Sequence, residues 1–412
     1  MLLALIKIAI LLGGLMTAAA YFVLLERRMA AWIQDRIGPN RVGIPLTNIR
    51  IFGLGQPLAD GLKFILKEEF TPSHVDRALF VAAPIVILVA ALSLFAVIPV
   101  GSFLPSKVAG HPLSDGPIEM TVAPGVDAAL IYVFALSSIA VYGVILGGWA
   151  SNNKYSFLGG LRSSAQLVAY EVPMGLGILG AVLAAGSLNL SEIIAAQADR
   201  GWFALLQPLG FVVFSVAAFA EAARLPFDLP ECEQELVGGY HTEYSGMKLL
   251  LFLVAEFLHM ITAAFLMVIL FLGGWHFPGL TGSSMALDGW GHPGELWLWG
   301  QALVRAGVLL GKVFCIIVFF MLVRWTWPRF RYDQLMSLAW KVMLPLGLIN
   351  FVVSACLEQL QGTLGYAWLR WVAIALAWIV LFGAWIGVSL LGSVTENRPR
   401  RPAQPLESDL RA

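Results

Sequence analysis

Hydrophobic residues in this chain occur in long blocks, and shorter polar or charged stretches separate the blocks. Blocks of this length predict helices that cross a membrane, because about 20 apolar residues span the hydrocarbon core of a bilayer. The predicted spans lie near residues 2–25, 78–100, 127–150, 163–186, 205–223, 248–273, 306–323, 342–356 and 371–391. The pattern therefore predicts an all-α polytopic membrane protein, with a single transmembrane domain over residues 1–392.

The first apolar block could be mistaken for a secretory signal peptide, since Ala18-Ala19-Ala20 resembles a small-residue cleavage site. It has no basic amino-terminal region, its apolar run is too long, and Glu26-Arg27-Arg28 follows as a stop signal. We therefore interpret residues 2–25 as a membrane span.

Basic residues favour alternate loops between the predicted spans. Residues 26–77 contain eight Lys and Arg residues, whereas residues 274–304 contain none. The positive-inside rule then predicts an external amino terminus and a cytoplasmic carboxyl terminus. Residues 26–77 and the acidic loop 224–247 are predicted to face the cytoplasm, and the Pro- and Arg-rich residues 393–412 are predicted to form a mobile cytoplasmic tail.

An amphipathic helix is predicted at about residues 57–67, inside the first cytoplasmic loop. Pro57 is suited to a first helical position. Apolar and polar residues then separate onto two faces, with Leu58, Leu62, Ile65 and Leu66 on one and Asp60, Lys63 and Lys67 on the other. Such a helix lies on a membrane surface. Taken alone, it is as consistent with a plain interfacial anchor as with a functional surface.

Composition narrows the classes of function. Hydrophobic residues make up 59% of the chain, charged residues make up 13%, and the formal net charge is zero, which gives no electrostatic basis for nucleic-acid binding. Cys232, Cys315 and Cys356 are far apart, so no local iron–sulfur or zinc motif is indicated. No phosphate loop or dinucleotide fingerprint occurs in a suitable context. We expect no metal in this chain, and any redox function has to use the cofactors of partners.

The stretch 221–246 is unusually acidic for such an apolar protein. It carries Glu221, Arg224, Asp228, Glu231, Glu233, Glu235 and Glu243. Its first residues belong to the end of the predicted fifth span, and the remainder forms the predicted acidic cytoplasmic loop. The chain therefore concentrates carboxylates directly beside the membrane.

Three glutamates lie within predicted spans: Glu171, Glu221 and Glu256. A buried carboxylate is costly in lipid, so these side chains are expected to face the protein interior. From the predicted span starts, Glu171 lies ~13 Å and Glu256 ~12 Å from the cytoplasmic side, while Glu221 lies near the surface. We interpret the three as a proton relay that continues the acidic loop into the membrane.

The alternative is that each glutamate joins two helices by a hydrogen bond to a Ser or a Tyr. Three tyrosines are available nearby, namely Tyr170, Tyr240 and Tyr244. His259 lies one turn from Glu256 and is more typical of a hydrogen-bonded core histidine than of a metal ligand. Lys312 lies in an apolar run, where it either extends to the surface or pairs inside.

Four blocks of the sequence resemble one known family in the order of that family. They are ERRMAAWIQDRIGPNRVG at 26–43 with QPLADGLKFILKE at 56–68, SSAQLVAYEVPMG at 163–175, residues 221–246, and RWTWPRFRYDQLMSLAWKVMLPL at 324–346. The family is the quinone-channel subunit of respiratory complex I, which is the H subunit of the bacterial proton-translocating NADH:quinone oxidoreductase and subunit 1 in mitochondria. Together the blocks span nearly the whole chain.

The resemblance implies roles for individual residues. The quinone tunnel is expected to involve Arg36, Asp60, Leu62, Phe64, Arg224, Phe227 and Asp228. Glu231, Glu233 and Glu235 are expected to form the acidic loop beside the quinone cavity. Glu171, Glu221 and Glu256 are expected to begin the relay of ionisable groups, with Tyr170, Tyr240 and Tyr244 supporting it.

The resemblance also implies partners and a location. The substrate is a quinone, expected to be ubiquinone, while NADH, FMN and the iron–sulfur clusters belong to partner subunits. Expected partners are the soluble quinone-site and iron–sulfur subunits, the antiporter-like and small membrane subunits, and the lipid bilayer. The expected location is the bacterial cytoplasmic inner membrane. Two features depart from some relatives: span 127–150 has no glutamate, and the ninth span and tail exceed the eight-span mitochondrial form.

Two other functions are alternatives, although the close agreement at 26–68 and 324–346 favours complex I over the homologous hydrogenase subunit. A membrane subunit of an energy-converting hydrogenase shares the carboxylates but not the quinone. An independent proton-coupled carrier is expected to show internal repeats and broken helices at mid-membrane, and neither is clear in this sequence.

Overall fold

The computed structural model is almost entirely helical. It describes residues 2–43, 52–105, 107–108, 111–112, 118–228, 236–281, 295–364 and 367–395. The α-helices are α1 Leu2–Ile33, α2 Gln56–Leu66, α3 Arg77–Ser93, α4 Ala129–Ala150, α5 Lys154–Ala185, α6 Leu190–Arg200, α7 Phe203–Leu206, α8 Pro208–Glu221, α9 Gly246–Phe271, α10 Glu295–Thr326, α11 Tyr332–Ser337, α12 Leu344–Leu364 and α13 Ala367–Thr395.

Short non-α elements complete the described fold. Two 3-10 turns occupy Leu94–Ala96 and Gly239–His241, and a π-helical segment, Leu338–Met343, joins α11 to α12. Four two-residue strands pair antiparallel, with β1 Phe103–Leu104 against β4 Ile118–Glu119 and β2 Lys107–Val108 against β3 His111–Pro112. All four strands belong to the connection between α3 and α4.

The described residues form seven helices that are long and apolar enough to cross a membrane, and two shorter apolar stretches are also helical, namely Pro208–Glu221 of α8 and Ile374–Leu390 within α13. These nine correspond in order to the nine predicted spans. The shortest is α8, whose 14 residues rise only ~21 Å at ~1.5 Å per residue. The all-α polytopic fold is therefore confirmed.

Several predicted boundaries were wrong. The polar stretch 154–162 was assigned to a loop but forms the first turns of α5, because Asn153 caps the helix by accepting a hydrogen bond from the Tyr155 amide at 3.0 Å. Glu171 consequently lies 17 residues into its helix. Helix α1 likewise continues to Ile33, beyond the predicted end at residue 25. These helix ends carry polar surface residues, so a search for apolar blocks does not detect them.

Two predicted loops contain helices. Within 187–204, α6 is capped by Asn189, which accepts from the Ser191 amide at 3.0 Å, and its apolar face is buried. Within 324–341, helical structure resumes at Tyr332 and continues through the π-helical segment into α12. At the other end of the chain, α13 extends to Thr395, so the first residues of the predicted tail are helical.

Helix α9 occupies the centre of the fold. It packs against α1, α3, α8 and α10, and its carboxyl-terminal half is buried throughout. Helices α4 and α5 approach closely because Gly148 and Gly160 face each other, and a Cβ atom on Gly160 would lie 3.3 Å from the Gly148 Cα. Small residues permit this kind of contact between membrane helices. The packing places α4, α5, α8 and α9 around a common region.

Candidate functional site

The chain segment that follows α8 is held at both ends by one side chain from α5. The Gln166 amide nitrogen donates to the Ala220 carbonyl at 2.8 Å and to the Phe227 carbonyl at 2.8 Å, and Gln166 is completely buried. Between these two anchors, Ala223 has a φ of 49°, in the left-handed region that non-glycine residues seldom adopt. Helix α5 therefore determines where Arg224 lies.

Aromatic stacking holds the far end of the same segment. The Phe227 ring lies 5.5 Å from the Phe330 ring at an interplanar angle of 13°, and 5.6 Å from the Tyr170 ring. The Phe330 amide donates to the Pro226 carbonyl at 3.2 Å. Phe227 is thus packed between α5 and the segment 327–331.

Asp228 adds an ion pair to this contact. Its Oδ2 accepts from Arg329 Nη2 at 3.0 Å, and only 7% of Asp228 is exposed. Burial raises the pKa of Asp228 to about 6, and the nearby guanidinium of Arg329 opposes that rise. The carboxyl group is therefore buried next to a fixed positive charge.

Replacing Gln166 by alanine should loosen the segment 222–228. The change leaves two buried carbonyl groups without their donor, and each unsatisfied group costs ~1–3 kcal/mol. We expect faster amide hydrogen exchange across residues 222–228 of the assembled complex, together with a lower temperature of inactivation.

Ser164→Ala is the matched control for that experiment, because Ser164 lies on the same helix and its hydroxyl donates to its own helix, at Leu161 O. Unchanged exchange at residues 222–228 in Gln166→Ala, relative to Ser164→Ala, would show that the Gln166 anchor does not hold the segment.

Arg224 is buried between two carboxylates and an aromatic ring. Its Nη1 lies 3.1 Å from Glu26 Oε2, and its Nε lies 2.8 Å from Glu256 Oε1. The guanidinium carbon lies 4.3 Å from the centre of the Phe257 ring. Only 5% of Arg224 is exposed. This desolvated arrangement connects α1, α9 and the segment after α8.

A second arginine contacts the same cluster from α10. Arg324 Nη1 pairs with Glu26 Oε1, and Glu26 itself is 8% exposed. Two guanidinium groups and two carboxylates therefore lie together at one end of the helices. Sequence reasoning missed Glu26 and Arg324, since Glu26 was interpreted as part of a stop signal, and no local pattern links two residues so far apart.

An open cavity of about 620 Å³ borders this cluster. Its described lining includes Glu26, Arg36, Arg224, Glu256, Phe257 and Trp325. The cavity wall thus combines cationic, anionic and aromatic side chains. This composition suits a ligand with a polar headgroup and an apolar body.

The other residues predicted for the tunnel lie outside the described lining of this cavity. Asp60 on α2 pairs with Arg27 Nη1 at 2.6 Å, and Arg27 belongs to the cavity wall. Leu62 is 49% exposed and Phe64 is half-buried. Phe227 and Asp228 pack as described above. Of the predicted tunnel residues, Arg36 and Arg224 therefore line the open cavity, and Asp60 reaches its wall through Arg27.

The three predicted relay glutamates line one small cavity. Glu171, Glu221 and Glu256 meet there with His259, Tyr240 and Ser163, and the cavity volume is about 50 Å³. Glu256 also lines the open cavity. Glu221 and His259 line a further, smaller cavity deeper between α4, α8 and α9. Adjacent cavities therefore share carboxylate residues.

Serines from α4 lie beside two of these glutamates. The Ser138 hydroxyl donates to Glu171 Oε1, and Ser137 lines the small cavity together with Glu221. Helix α4, which contains no glutamate, thus takes part through hydroxyl groups. Two adjacent serines in the middle of an apolar block were the available sequence signal for this role.

The three tyrosines have different environments. The Tyr170 hydroxyl donates to the Leu335 carbonyl at 2.9 Å, so it bonds backbone and not a glutamate. The Tyr244 ring stacks on Phe80 with the ring centres 4.0 Å apart. Tyr240 lines the small cavity together with the glutamates. Of the three, Tyr240 alone lies in the described lining of that cavity.

Lys312 pairs inside the protein, with backbone carbonyl groups that follow α9. Its Nζ donates to the carbonyls of Leu272 at 2.6 Å, Gly274 at 3.0 Å and His276 at 2.7 Å. These carbonyls follow the last turn of α9. Lys312 therefore holds the chain where it leaves this helix. Glu231, Glu233 and Glu235 of the predicted acidic loop lie outside the described residues.

Comparison with known proteins matches the chain to the NADH dehydrogenase family over residues 6–355. An H subunit of the NADH-quinone oxidoreductase of Geobacter metallireducens is 45% identical over 355 residues, which cover 86% of this chain and 96% of the relative. An H subunit of the Cytophaga hutchinsonii enzyme is 44% identical over 342 residues, covering 82% and 92%. Subunit 8 of the Thermus thermophilus enzyme is 43% identical over 379 residues, covering 92% of each chain. The chain therefore belongs to the NADH dehydrogenase family of membrane subunits that includes the H subunits of NADH-quinone oxidoreductase.

Proposed function

We propose that this membrane subunit forms the quinone access tunnel together with the soluble redox arm, and that its buried carboxylates relay quinone reduction to proton translocation. The observation that carries the proposal is the position of Glu256, which pairs with Arg224, lines the open cavity and also lines the small cavity of Glu171 and Glu221. One residue thus connects a space large enough for a headgroup to the interior carboxylates.

Reduction of a quinone to a quinol consumes two electrons and two protons. In the proposal the electrons come from an iron–sulfur cluster of a soluble partner, and NADH and FMN are bound elsewhere in the complex. In the proposal the two protons that neutralise the added electrons come from groups beside the open cavity, so the charge of those groups changes during each turnover. A change of charge near Arg224 alters its interaction with Glu256, and carboxylates that share a cavity titrate as a coupled group. This coupling is the proposed start of the relay.

The open cavity also supports the proposed route for the quinone. The apolar tail needs aromatic and aliphatic walls, which Phe257 and Trp325 provide, while the headgroup needs polar contacts such as Arg36 and Arg224. With the predicted topology, this end of the helices faces the cytoplasm, where the soluble arm would close the cavity. Glu231, Glu233 and Glu235 are proposed to lie between that arm and the membrane.

Helix α2 is proposed to form the tunnel mouth at the membrane surface. Its apolar residues Leu58, Leu62, Ile65 and Leu66 are 61%, 49%, 61% and 81% exposed in the isolated chain. Exposed apolar side chains along one helix face need a lipid or protein surface to cover them. The Arg27–Asp60 pair ties this helix to the cavity wall.

Replacing Leu62 by aspartate should weaken the contact of α2 with that surface. A charge on the apolar face carries a desolvation penalty, so we expect a higher apparent KM for a long-tailed quinone and less stable assembly. Lys63→Asp places the same residue on the polar face of α2 and should leave both properties nearly unchanged. Normal assembly and normal quinone kinetics in Leu62→Asp would contradict the proposed position of α2.

Purification in a mild detergent, followed by identification of the co-purifying chains, tests the proposed function as a whole. We expect flavin- and cluster-bearing subunits and NADH:quinone reductase activity in the same particle. Recovery of a stable chain without such partners would contradict the proposal. Co-purifying nickel–iron hydrogenase subunits without quinone reductase activity would support the hydrogenase alternative instead.

A further inference from the structure

A separate cavity of about 270 Å³ lies between α5, α8, α12 and α13. Its lining includes Gln207 and Leu209, at the start of α8, whereas Glu221 lies at the other end of that helix. The length of α8 separates the two regions by roughly 20 Å. No described residue lines both this cavity and the cavities of the candidate site.

Two buried polar atoms of this cavity have no hydrogen-bond partner among the described residues: Gln207 Oε1 and Asn350 Nδ2. The two side chains are 8% and 4% exposed. Gln207 is held in position because its Nε2 donates to the Gly180 carbonyl at 2.9 Å. An acceptor and a donor are therefore presented together, and leaving both unsatisfied in a membrane interior is unfavourable.

Gly180 makes room for this arrangement. A Cβ atom at position 180 would lie 3.0 Å from Asn350 Nδ2 and 2.9 Å from Ser354 Oγ, and it would also collide with Gln207 Oε1. Polar atoms from α5, α8 and α12 thus converge on a position where a side chain is missing. The absence of a Cβ lets these polar atoms approach α5 closely.

Opposite charges occupy the mouth of the cavity. Arg200 Nη1 lies 3.0 Å and 3.1 Å from the two carboxylate oxygens of Glu358, and both side chains are partly exposed. Apolar residues of α13, including Ile374 and Val380, form the adjoining wall. The mouth thus combines a cation, an anion and an apolar surface open to lipid.

We propose that this cavity binds the headgroup of an ethanolamine phospholipid from the surrounding bilayer. The ammonium N–H groups match the acceptors Glu358 and Gln207 Oε1. The phosphate and ester oxygens match the donors Arg200 and Asn350 Nδ2, and an acyl chain lies along α13. A choline headgroup has no N–H donor for Gln207, and an anionic glycerol headgroup has no cation for Glu358.

Photoreactive ethanolamine phospholipid in proteoliposomes of the whole complex provides the test. We expect cross-links within residues 350–358 and 374–380, located by peptide mass spectrometry. Unlabelled ethanolamine phospholipid should compete roughly tenfold better than choline or glycerol phospholipids with the same acyl chains, because each lost charged or polar contact corresponds to about a tenfold change in affinity.

Asn350→Leu and Glu358→Gln should each reduce labelling by roughly tenfold for the same reason. The second variant changes a partly exposed side chain and so tests the site even if the first impairs folding. Ile349→Leu, at an exposed neighbouring position, should label normally. Equal competition by the choline or glycerol lipids, cross-links elsewhere, or undiminished labelling of Glu358→Gln would overturn the proposal.

Discussion

Arg224→Ala is expected to abolish quinone reduction by the complex, with a loss of at least ~100-fold in rate. The substitution leaves Glu26 and Glu256 buried without the guanidinium that lies 3.1 Å and 2.8 Å from them. Removing one partner from a buried ion pair costs ~3–5 kcal/mol, which is enough to rearrange the cluster. Steady-state NADH:quinone reductase activity of purified complex, with subunit content determined in parallel, measures this effect.

Arg224→Lys tests whether quinone reduction depends on the shape of the guanidinium group as well as on its positive charge. A lysine keeps the positive charge but cannot present two nitrogens in a planar fork to Glu26 and Glu256, so we expect an intermediate activity. Arg77→Ala, at an exposed position at the start of α3, should retain full activity. Wild-type quinone affinity and rate in Arg224→Ala would remove Arg224 from the proposed tunnel.

Glu221→Gln is expected to stop proton translocation while leaving the subunit assembled. Glutamine has nearly the same shape and can still form hydrogen bonds, but it cannot release a proton. Groups that transfer protons contribute factors of ~10²–10⁴, so we expect at least a tenfold loss of proton translocation and of coupled turnover. Proton uptake by proteoliposomes during NADH oxidation measures the effect.

Glu192→Gln is the matched control, because Glu192 lies exposed in the first turn of α6. The same chemical change there should leave translocation unaltered. If Glu221→Gln pumps protons at the rate of Glu192→Gln, Glu221 is not a member of the relay.

The number and order of apolar helices could be predicted from the sequence, because a bilayer demands blocks of about 20 apolar residues. The positions of the helix ends could not be predicted from these blocks. Asn153 and Asn189 begin α5 and α6 inside polar stretches, and local capping hydrogen bonds, not hydrophobicity, decide where those helices start. Helix α8 ends where its chain turns at Ala222 and Ala223, and Gln166 of another helix holds the backbone on both sides of this turn, at Ala220 and Phe227.

The residues of the candidate site were likewise only partly predictable from the sequence. Glu171, Glu221 and Glu256 stood out because each is a carboxylate in an apolar block, and they do line one cavity. Their partners did not stand out. Glu26, Arg324 and Gln166 act through contacts between distant segments, and only the packed fold brings those segments together.

The central claim is that quinone reduction changes the protonation of the buried carboxylates. Infrared difference spectroscopy of the purified complex, recorded before and after quinone reduction, tests it most directly. The account predicts a carboxyl band that changes in the wild-type complex and is absent from the difference spectrum of Glu221→Gln. Identical difference spectra for the two complexes, at equal extents of quinone reduction, would contradict it.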